Sequence, residues 1–190
     1  MLNTLYGLLA LAFGLTSVSF ADSPVGAIIQ EPDPLLSRME GEWLGRGFRV
    51  FSQGKKKVLL EVQVRSSVDQ AGVLLSRNRV LESPSMPGAF STEAKEYERL
   101  YWVKFKRAGE FENAPRFYAL GYGAIDAGER PSAEGVFAQN IFSVLQRVGG
   151  GFRVESRTEF FPDGGSVYSE KAWNGEELLA ETEIQYQRVR

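Results

Sequence analysis

The sequence predicts an all-β protein, an antiparallel up-and-down β-barrel of about 8–10 strands with a short N-terminal helical turn. Three observations support this prediction. Apolar and polar residues alternate with a period of two through most of the chain after Gly41. Short Gly-bearing turns separate the alternating runs, among them SQGKK, DQAG, PDGG and NGE. No long helical pattern interrupts the runs, and a meander of this kind twists and closes, which removes its exposed edges.

Residues 1–21 are predicted to be a signal peptide, so the mature protein is expected to be periplasmic or secreted. The segment Leu5–Leu15 is apolar but too short to span a bilayer comfortably. Ser19 and Ala21 are small residues at the spacing of a cleavage site, which predicts cleavage before Asp22. The alternative is a buried N-terminal helix. No later stretch is long and apolar enough to predict a transmembrane helix.

Residues 22–34 are predicted to be an extended leader that contains proline, and residues 35–190 a single barrel domain. Asp33 and Pro34 suit the N-cap and the first position of a helical turn, which is expected to end at Gly41. The apolar side of this turn is predicted to be Leu35, Leu36 and Met39.

The alternation also predicts which side chains point into the barrel, because successive strand residues face opposite sides. Four runs alternate most clearly. The predicted inward residues of these runs are Val58, Leu60, Val62, Val64 and Val68; Tyr97, Arg99, Tyr101, Val103 and Phe105; Phe152, Val154, Ser156, Thr158 and Phe160; and Leu178, Ala180, Thr182, Ile184 and Tyr186.

An outer-membrane barrel would show the same alternation with its apolar side outward. Three features favour an inward apolar face. The chain ends in Arg190 rather than in an aromatic residue, and the connections do not alternate between short and long. A lipid-facing surface would also have to contain Arg99 and several Ser and Thr residues.

The stretch GEWLGRGFRV, residues 41–50, resembles the Gly-x-Trp start of the calycin superfamily, which includes lipocalins and fatty-acid-binding proteins. The fuller spacing is similar to that of nitrobindin-like ten-stranded barrels, and its residues here are Gly41, Trp43, Gly45 and Gly47. In lipocalins a basic residue on the last strand covers the Trp. The resemblance implies that role for Arg188 or Arg190.

The physical chemistry of these residues agrees with a structural role in closing the barrel. Gly45 and Gly47 would let the first strand bend sharply. Trp43 would close one end, and a guanidinium stacked on its indole would contribute roughly 0.5–2 kcal/mol.

The amino-acid composition limits the kinds of functional site that the chain can contain. The chain has no His and no Cys, and its formal net charge is −2. The charge gives no sign of nucleic-acid binding. Without His, the ligation of haem known in nitrobindins is excluded, and no metal site or cofactor is predicted. A Tyr-ligated haem is the alternative.

Cationic residues on predicted inward faces suggest a ligand site, because a buried charge is costly unless it is paired. The residues concerned are Arg77, Arg79, Arg99, Arg116 and Lys171. Cations and tyrosines in an apolar barrel suit a carboxylate, and this resembles the Arg and Tyr of fatty-acid-binding barrels. The predicted ligand-binding residues are Arg99, Tyr101, Tyr118, Tyr186 and Arg116. In the alternative, strand register turns some arginines outward or Glu side chains pair with them at the mouth.

The predicted function is that of a binding protein that holds a small hydrophobic or amphiphilic anion, similar to a fatty acid, inside the barrel. The alternative is a barrel filled by its own side chains, which binds a protein partner through residues 82–96 and 126–135. No residues form a recognisable nucleophile–base pair, so the chain is predicted not to be an enzyme, with a barrel isomerase or lyase as the alternative.

Overall fold

The computed structural model describes residues 33–53, 56–84, 94–111, 113–123 and 132–189. The predicted signal peptide and nearly all of the predicted leader lie outside the described residues. So do residues 85–93 and 124–131, which make up much of the two predicted partner loops.

One short helix precedes ten strands. The helix α1 spans Pro34–Met39. The strands are β1 (Gly41–Phe51), β2 (Lys56–Val68), β3 (Val73–Pro84), β4 (Lys95–Ala108), β5 (Arg116–Tyr122), β6 (Ala133–Ala138), β7 (Ile141–Val148), β8 (Phe152–Phe160), β9 (Gly165–Asn174) and β10 (Glu177–Arg188). Within the described part of the chain, no helix is long and apolar enough to cross a membrane.

The ten strands form a closed barrel, which confirms the predicted fold class. Each strand pairs antiparallel with the next one along the chain, and β1 pairs with β10 to complete the ring. In this closing seam Trp43 lies opposite Arg188, and Phe51 lies opposite Ala180. Closure pairs the backbone N–H and C=O groups that the two end strands would otherwise leave unpaired.

The core lies inside the barrel, as the alternation predicts. On β2 the side chains of Val58, Leu60, Val62 and Val64 are buried, and Glu61 and Gln63 between them are exposed. A second group of buried residues closes the end next to α1. There Leu35 and Leu36 pack against side chains from six strands, namely Leu74, Val103, Tyr118, Phe137, Phe142 and Phe160.

Strand β3 departs from the prediction, because its inward face is the opposite one. Leu74 belongs to the buried group at the helix end, so the residues that alternate with it face inward. Arg77 and Arg79 therefore point outward, where they pair with Glu98 and Glu96 of β4. The prediction fails because Val73 is apolar although it faces outward. It is buried there in a separate cluster with Trp102 and Ala119.

Strand β9 shows the same reversal for Lys171. Its side chain is exposed and lies 3.1 Å from Glu181 of β10. The outward positions of Arg77, Arg79 and Lys171 agree with the alternative prediction, in which strand register turns some of the cationic side chains away from the barrel interior.

The N-cap Asp33 ties α1 to the barrel wall. Its Oδ1 accepts hydrogen bonds from the backbone N–H groups of Leu35 and Leu36 at 3.0 and 3.1 Å. The hydroxyl of Tyr118 on β5, which is fully buried, donates to the same oxygen at 2.8 Å. Arg116 lies 3.4 Å from Oδ2. One carboxylate therefore caps the helix and satisfies a buried phenol.

Replacing Asp33 by alanine is expected to lower the free energy of unfolding by about 2–4 kcal/mol. The change removes the cap, which contributes about 1 kcal/mol, and leaves the buried Tyr118 hydroxyl without its acceptor. Tyr118→Phe is the matched variant, because it keeps the cap and costs only about 1 kcal/mol. Urea unfolding followed by circular dichroism measures both. Equal losses in the two variants would contradict the double role of Asp33.

Candidate functional site

The interior of the barrel leaves a cavity of about 200 Å³. Met39 and Trp43 line it together with apolar side chains of the wall, among them Leu60, Val62 and Ile184. Polar groups also line the cavity. They are the charged side chains of Arg49, Arg99 and Glu170, the hydroxyls of Ser66, Ser156, Thr158, Ser166 and Thr182, the amide of Asn78, and five tyrosines.

The most buried charges at the cavity belong to Arg49 and Glu170, which line it, and to Glu82, which pairs with Arg49. The guanidinium of Arg49 donates through Nη1 to Glu82 Oε1 at 2.8 Å and through Nε to Thr182 Oγ1 at 3.0 Å. Its Nη2 lies 3.9 Å from Glu170 Oε1. The three charged side chains are 15%, 18% and 21% exposed, so water screens these interactions only weakly.

Two phenols complete this network. The hydroxyl of Tyr97 donates to Glu82 Oε1 at 2.7 Å. The hydroxyl of Tyr168 donates to Glu170 Oε2 at 2.5 Å. Each glutamate is therefore held by a different tyrosine, and Arg49 lies between the two carboxylates.

Arg99 is the second guanidinium of the cavity, and its surroundings differ from those of Arg49. It lies over the ring of Tyr97, with its Cζ 4.9 Å from the ring centroid. Among the described residues, no carboxylate forms an ion pair with it. Its side chain is exposed, so Arg99 is a cation that both solvent and a ligand in the cavity can reach.

The tyrosines of the cavity remain protonated at neutral pH. Burial raises the pKa of Tyr101, Tyr122, Tyr168 and Tyr186 above the usual value near 10, and for Tyr168 the charge of Glu170 raises it further. Arg99 partly opposes the upward shift of the pKa of Tyr122 and Tyr186. A neutral phenol can donate one hydrogen bond. The hydroxyls of Tyr122 and Tyr168 already donate to Gln146 and Glu170, so Tyr101 and Tyr186 are the side chains that suit an acceptor such as a carboxylate.

The raised pKa values predict that the folded protein resists phenol ionisation. The six tyrosines of the described chain all have a pKa above 10, with burial as the first cause in each. A raised pKa in the folded state means that the stability is complete below pH 10 and falls as the pH rises further. Absorbance at alkaline pH, followed together with circular dichroism, should show phenolate appearing at a higher pH in the folded barrel than in the urea-unfolded chain. Ionisation of most tyrosines near pH 10 in the folded protein would contradict this.

The structure brings three of the predicted ligand-binding residues together. Arg99, Tyr101 and Tyr186 all line the cavity. Arg116 and Tyr118 lie instead at the end closed by α1, where both contact Asp33. The role of all five as ligand contacts stays a prediction.

The predicted closing residues lie together at the seam of β1 and β10. Trp43 is buried and its Nε1 donates to the Met39 carbonyl at 3.2 Å. The Arg188 guanidinium lies 5.4 Å from the indole centroid and donates to the Glu40 carbonyl. Arg190 lies outside the described residues.

The three glycines of the motif meet different local requirements. Gly41 has a φ of +116°, which L side chains rarely adopt. Gly45 leaves room for the Tyr186 ring, because a Cβ at this position would lie 2.6 Å from Tyr186 Cδ1. Gly47 leaves room for the backbone of β10. The structure therefore gives Gly45 and Gly47 a packing reason in addition to the predicted bend.

Reasoning from sequence missed the network of Arg49, Glu82 and Glu170. A signal for Arg49 was present, since it continues the inward face of Trp43, Gly45 and Gly47. Glu82 and Glu170 had no such signal, because the inward faces of β3 and β9 were both predicted in reverse.

Comparison with known proteins gives one informative similarity. No protein-family model and no curated protein match the chain. Among solved structures, an S-type phycobiliprotein lyase, CPES from Guillardia theta, is similar with a TM-score of 0.52 and 10% sequence identity. The alignment covers 82% of this chain and 91% of that chain. The similarity shows a shared barrel fold and transfers no residue role.

This similarity overturns the prediction that the chain is not an enzyme. The similar structure is that of a lyase, so the fold does not argue for a purely non-catalytic protein. The prediction relied on the absence of His and Cys. That absence was a poor guide, because the carboxylate of Glu170 and several phenols line the cavity, and these groups also serve in acid–base catalysis.

Proposed function

We propose that the barrel binds a small amphiphilic anion, similar to a short fatty acid, with its carboxylate at Arg99. One observation carries the proposal: Arg99 lines the cavity, and among the described residues no carboxylate pairs with it. Tyr101 and Tyr186 line the same cavity and are neutral hydrogen-bond donors at physiological pH.

The apolar lining would hold the body of the ligand. Ligand sites combine a mostly apolar wall with a few polar groups that fix orientation, and this cavity has that composition. Its volume of about 200 Å³ is below the roughly 300–1,000 Å³ of sites for drug-sized molecules. We therefore expect a short chain or a small ring system, with part of the ligand at the mouth.

Arg99→Gln tests this proposal. A charge-assisted hydrogen bond contributes about 1.5–3 kcal/mol, so the change should weaken the binding of octanoic acid about tenfold or more. Titration calorimetry measures the affinity. Arg77→Gln is the matched control, because Arg77 lies on the outer face of the neighbouring strand and pairs with Glu98. Equal affinity in the wild type and Arg99→Gln, or no binding by the wild type, would contradict the proposal.

We also propose that the chain is a calycin-like barrel and that it is periplasmic or secreted. The closed meander and the contact between Arg188 and Trp43 support the first part. The apolar segment and the small residues before Asp22 support the second. N-terminal sequencing of protein purified from a periplasmic fraction tests the localisation. A chain that retains Met1 and stays in the cytoplasm would contradict it.

A second candidate function is chemistry on the bound molecule. It is favoured by the short contact between Tyr168 and Glu170 inside the cavity, since a carboxylate and a phenol joined by a hydrogen bond can accept and donate a proton. By its name the similar structure is a phycobiliprotein lyase, and we propose only that an elimination or addition reaction could occur at this pair. Mass spectrometry of candidate ligands after incubation would detect it. A product formed equally by Glu170→Gln would contradict a role for this pair.

The binding of a protein partner through residues 82–96 and 126–135 stays a prediction. The cavity shows that the side chains do not fill the barrel completely, and most of the two loops lie outside the described residues. Substitutions in these loops that leave acid binding unchanged but abolish a co-purified protein would support the partner.

A further inference from the structure

The charges at the cavity balance before any ligand binds. Arg49, Arg99 and Glu170 line the cavity, and Glu82 pairs with Arg49 at 2.8 Å, so two positive charges are matched by two negative ones. A plain carboxylate bound at Arg99 would leave one unbalanced negative charge in a partly buried space. Such a charge is costly unless a hydrogen-bond donor or a cation compensates it.

The two glutamates differ in how fully their oxygens are used. Glu82 Oε1 accepts from Arg49 at 2.8 Å and from Tyr97 at 2.7 Å. Glu170 lies 3.9 Å from the nearest Arg49 nitrogen, which is too long for a hydrogen bond. It accepts from Tyr168 at 2.5 Å and receives a long contact of 3.5 Å from Thr182. A carboxylate can accept about four hydrogen bonds, so Glu170 has unused capacity.

Glu170 also faces the cavity rather than the wall. It lines the same space as Arg99, and its side chain is 21% exposed. Tyr122 and Tyr186 line the same cavity as these two charged groups. A single small molecule in the cavity could therefore contact Arg99 at one position and Glu170 at another.

We propose that Glu170 is a second polar contact, which accepts a hydrogen bond from a hydroxyl or ammonium group on the ligand. The ligand would then be a hydroxy- or amino-substituted amphiphilic acid rather than a plain fatty acid. This inference rests on the proposed function, because it assumes an anionic group at Arg99. Glu170 would determine which acids bind, and Arg99 would determine that an acid binds.

The experiment compares octanoic acid with its ω-hydroxy and ω-amino analogues by titration calorimetry. The wild type is expected to bind at least one analogue about tenfold more tightly than octanoic acid, the value of a hydrogen bond to a charged group. Glu170→Met should remove this preference while octanoic acid still binds. Glu181→Met is the matched control, because Glu181 lies on the outer face of β10 and pairs with Lys171.

Glu170→Gln separates the hydrogen bond from the charge and serves as a second variant if Glu170→Met does not fold. The amide keeps an acceptor oxygen, so a preference for the hydroxyl analogue should survive in part, whereas a preference for the amine should be lost. A preference that is unchanged in both variants would overturn the inference. So would a wild type that binds octanoic acid best.

The Arg99→Gln variant separates this inference from the proposed function. If Arg99→Gln binds all three acids as the wild type does, the proposed function fails and the inference fails with it. If Arg99→Gln weakens all three acids equally while the Glu170 variants change no ratio, the proposed function stands and only the inference fails.

Discussion

Gly47→Ala is expected to destabilise the barrel by about 3 kcal/mol or more, the upper end of the range for overpacking. A Cβ at this position would overlap the carbonyl oxygen of Glu183 and lie 2.7 Å from Ile184 Cα. Both atoms belong to the backbone of β10, so the strain cannot be relieved by turning a side chain. The seam between β1 and β10 would have to open, and urea unfolding followed by circular dichroism would show the loss.

Gly149→Ala is the matched control for this prediction. Gly149 lies in a turn where a Cβ would meet no atom within 4 Å, and its φ is not in the left-handed region. A change of less than about 0.5 kcal/mol is expected for it. If Gly47→Ala unfolded at the same urea concentration as Gly149→Ala, the close approach at the seam would be disproved.

Arg49→Met should be the most damaging single change within the cavity, with an expected loss of about 2–4 kcal/mol. The methionine fills much of the space of the arginine stem but leaves Glu82 and Glu170 without their shared cation. An unpaired charge in a partly buried site costs more than the ion pair itself contributes. Thermal unfolding at neutral pH measures the loss.

A second substitution tests whether the stability lost in Arg49→Met comes from the glutamate charge that is left unpaired. Adding Glu82→Gln to Arg49→Met removes one negative charge and keeps an acceptor for the Tyr97 hydroxyl. We expect the double variant to recover more than half of the lost stability, a coupling that a double-mutant cycle measures directly. Additive losses would show that Arg49 acts through packing alone.

The features that could be predicted from the sequence are those set by local periodicity. The alternation of β2 and β10 determines their inward faces, because burial of one face leaves a single acceptable register. Val62 and Ile184 illustrate this, since both are buried as their position in the alternation predicts. The N-cap Asp33 and the short helix after it also follow from residue types at adjacent positions.

The features that could not be predicted depend on residues far apart in the chain. The inward face of β3 cannot be read locally, because Val73 and Leu74 are both buried on opposite sides of the strand. The hydrogen bond from Tyr118 to Asp33 is an example, because the two residues are 85 positions apart.

The candidate site was predicted only in part for the same reason. Arg99, Tyr101 and Tyr186 line the cavity as their alternation suggests. Its charge balance could not be foreseen, because it depends on Arg49, Glu82 and Glu170, which come from three strands. No spacing in the sequence predicts that the carboxylates of Glu82 and Glu170 share the guanidinium of Arg49.

The closing seam has a consequence for how the chain folds. Its contacts join the two ends of the domain, as the bond between Arg49 and Thr182 does across 133 positions. A ring that depends on such distant pairing closes late and slowly, because the entropy of a long loop is lost before the contacts form. Until then β1 and β10 both present open edges to other chains. In a chain that lacks β10 the open edges are those of β1 and β9, and such a chain is expected to aggregate through them rather than to form a smaller barrel.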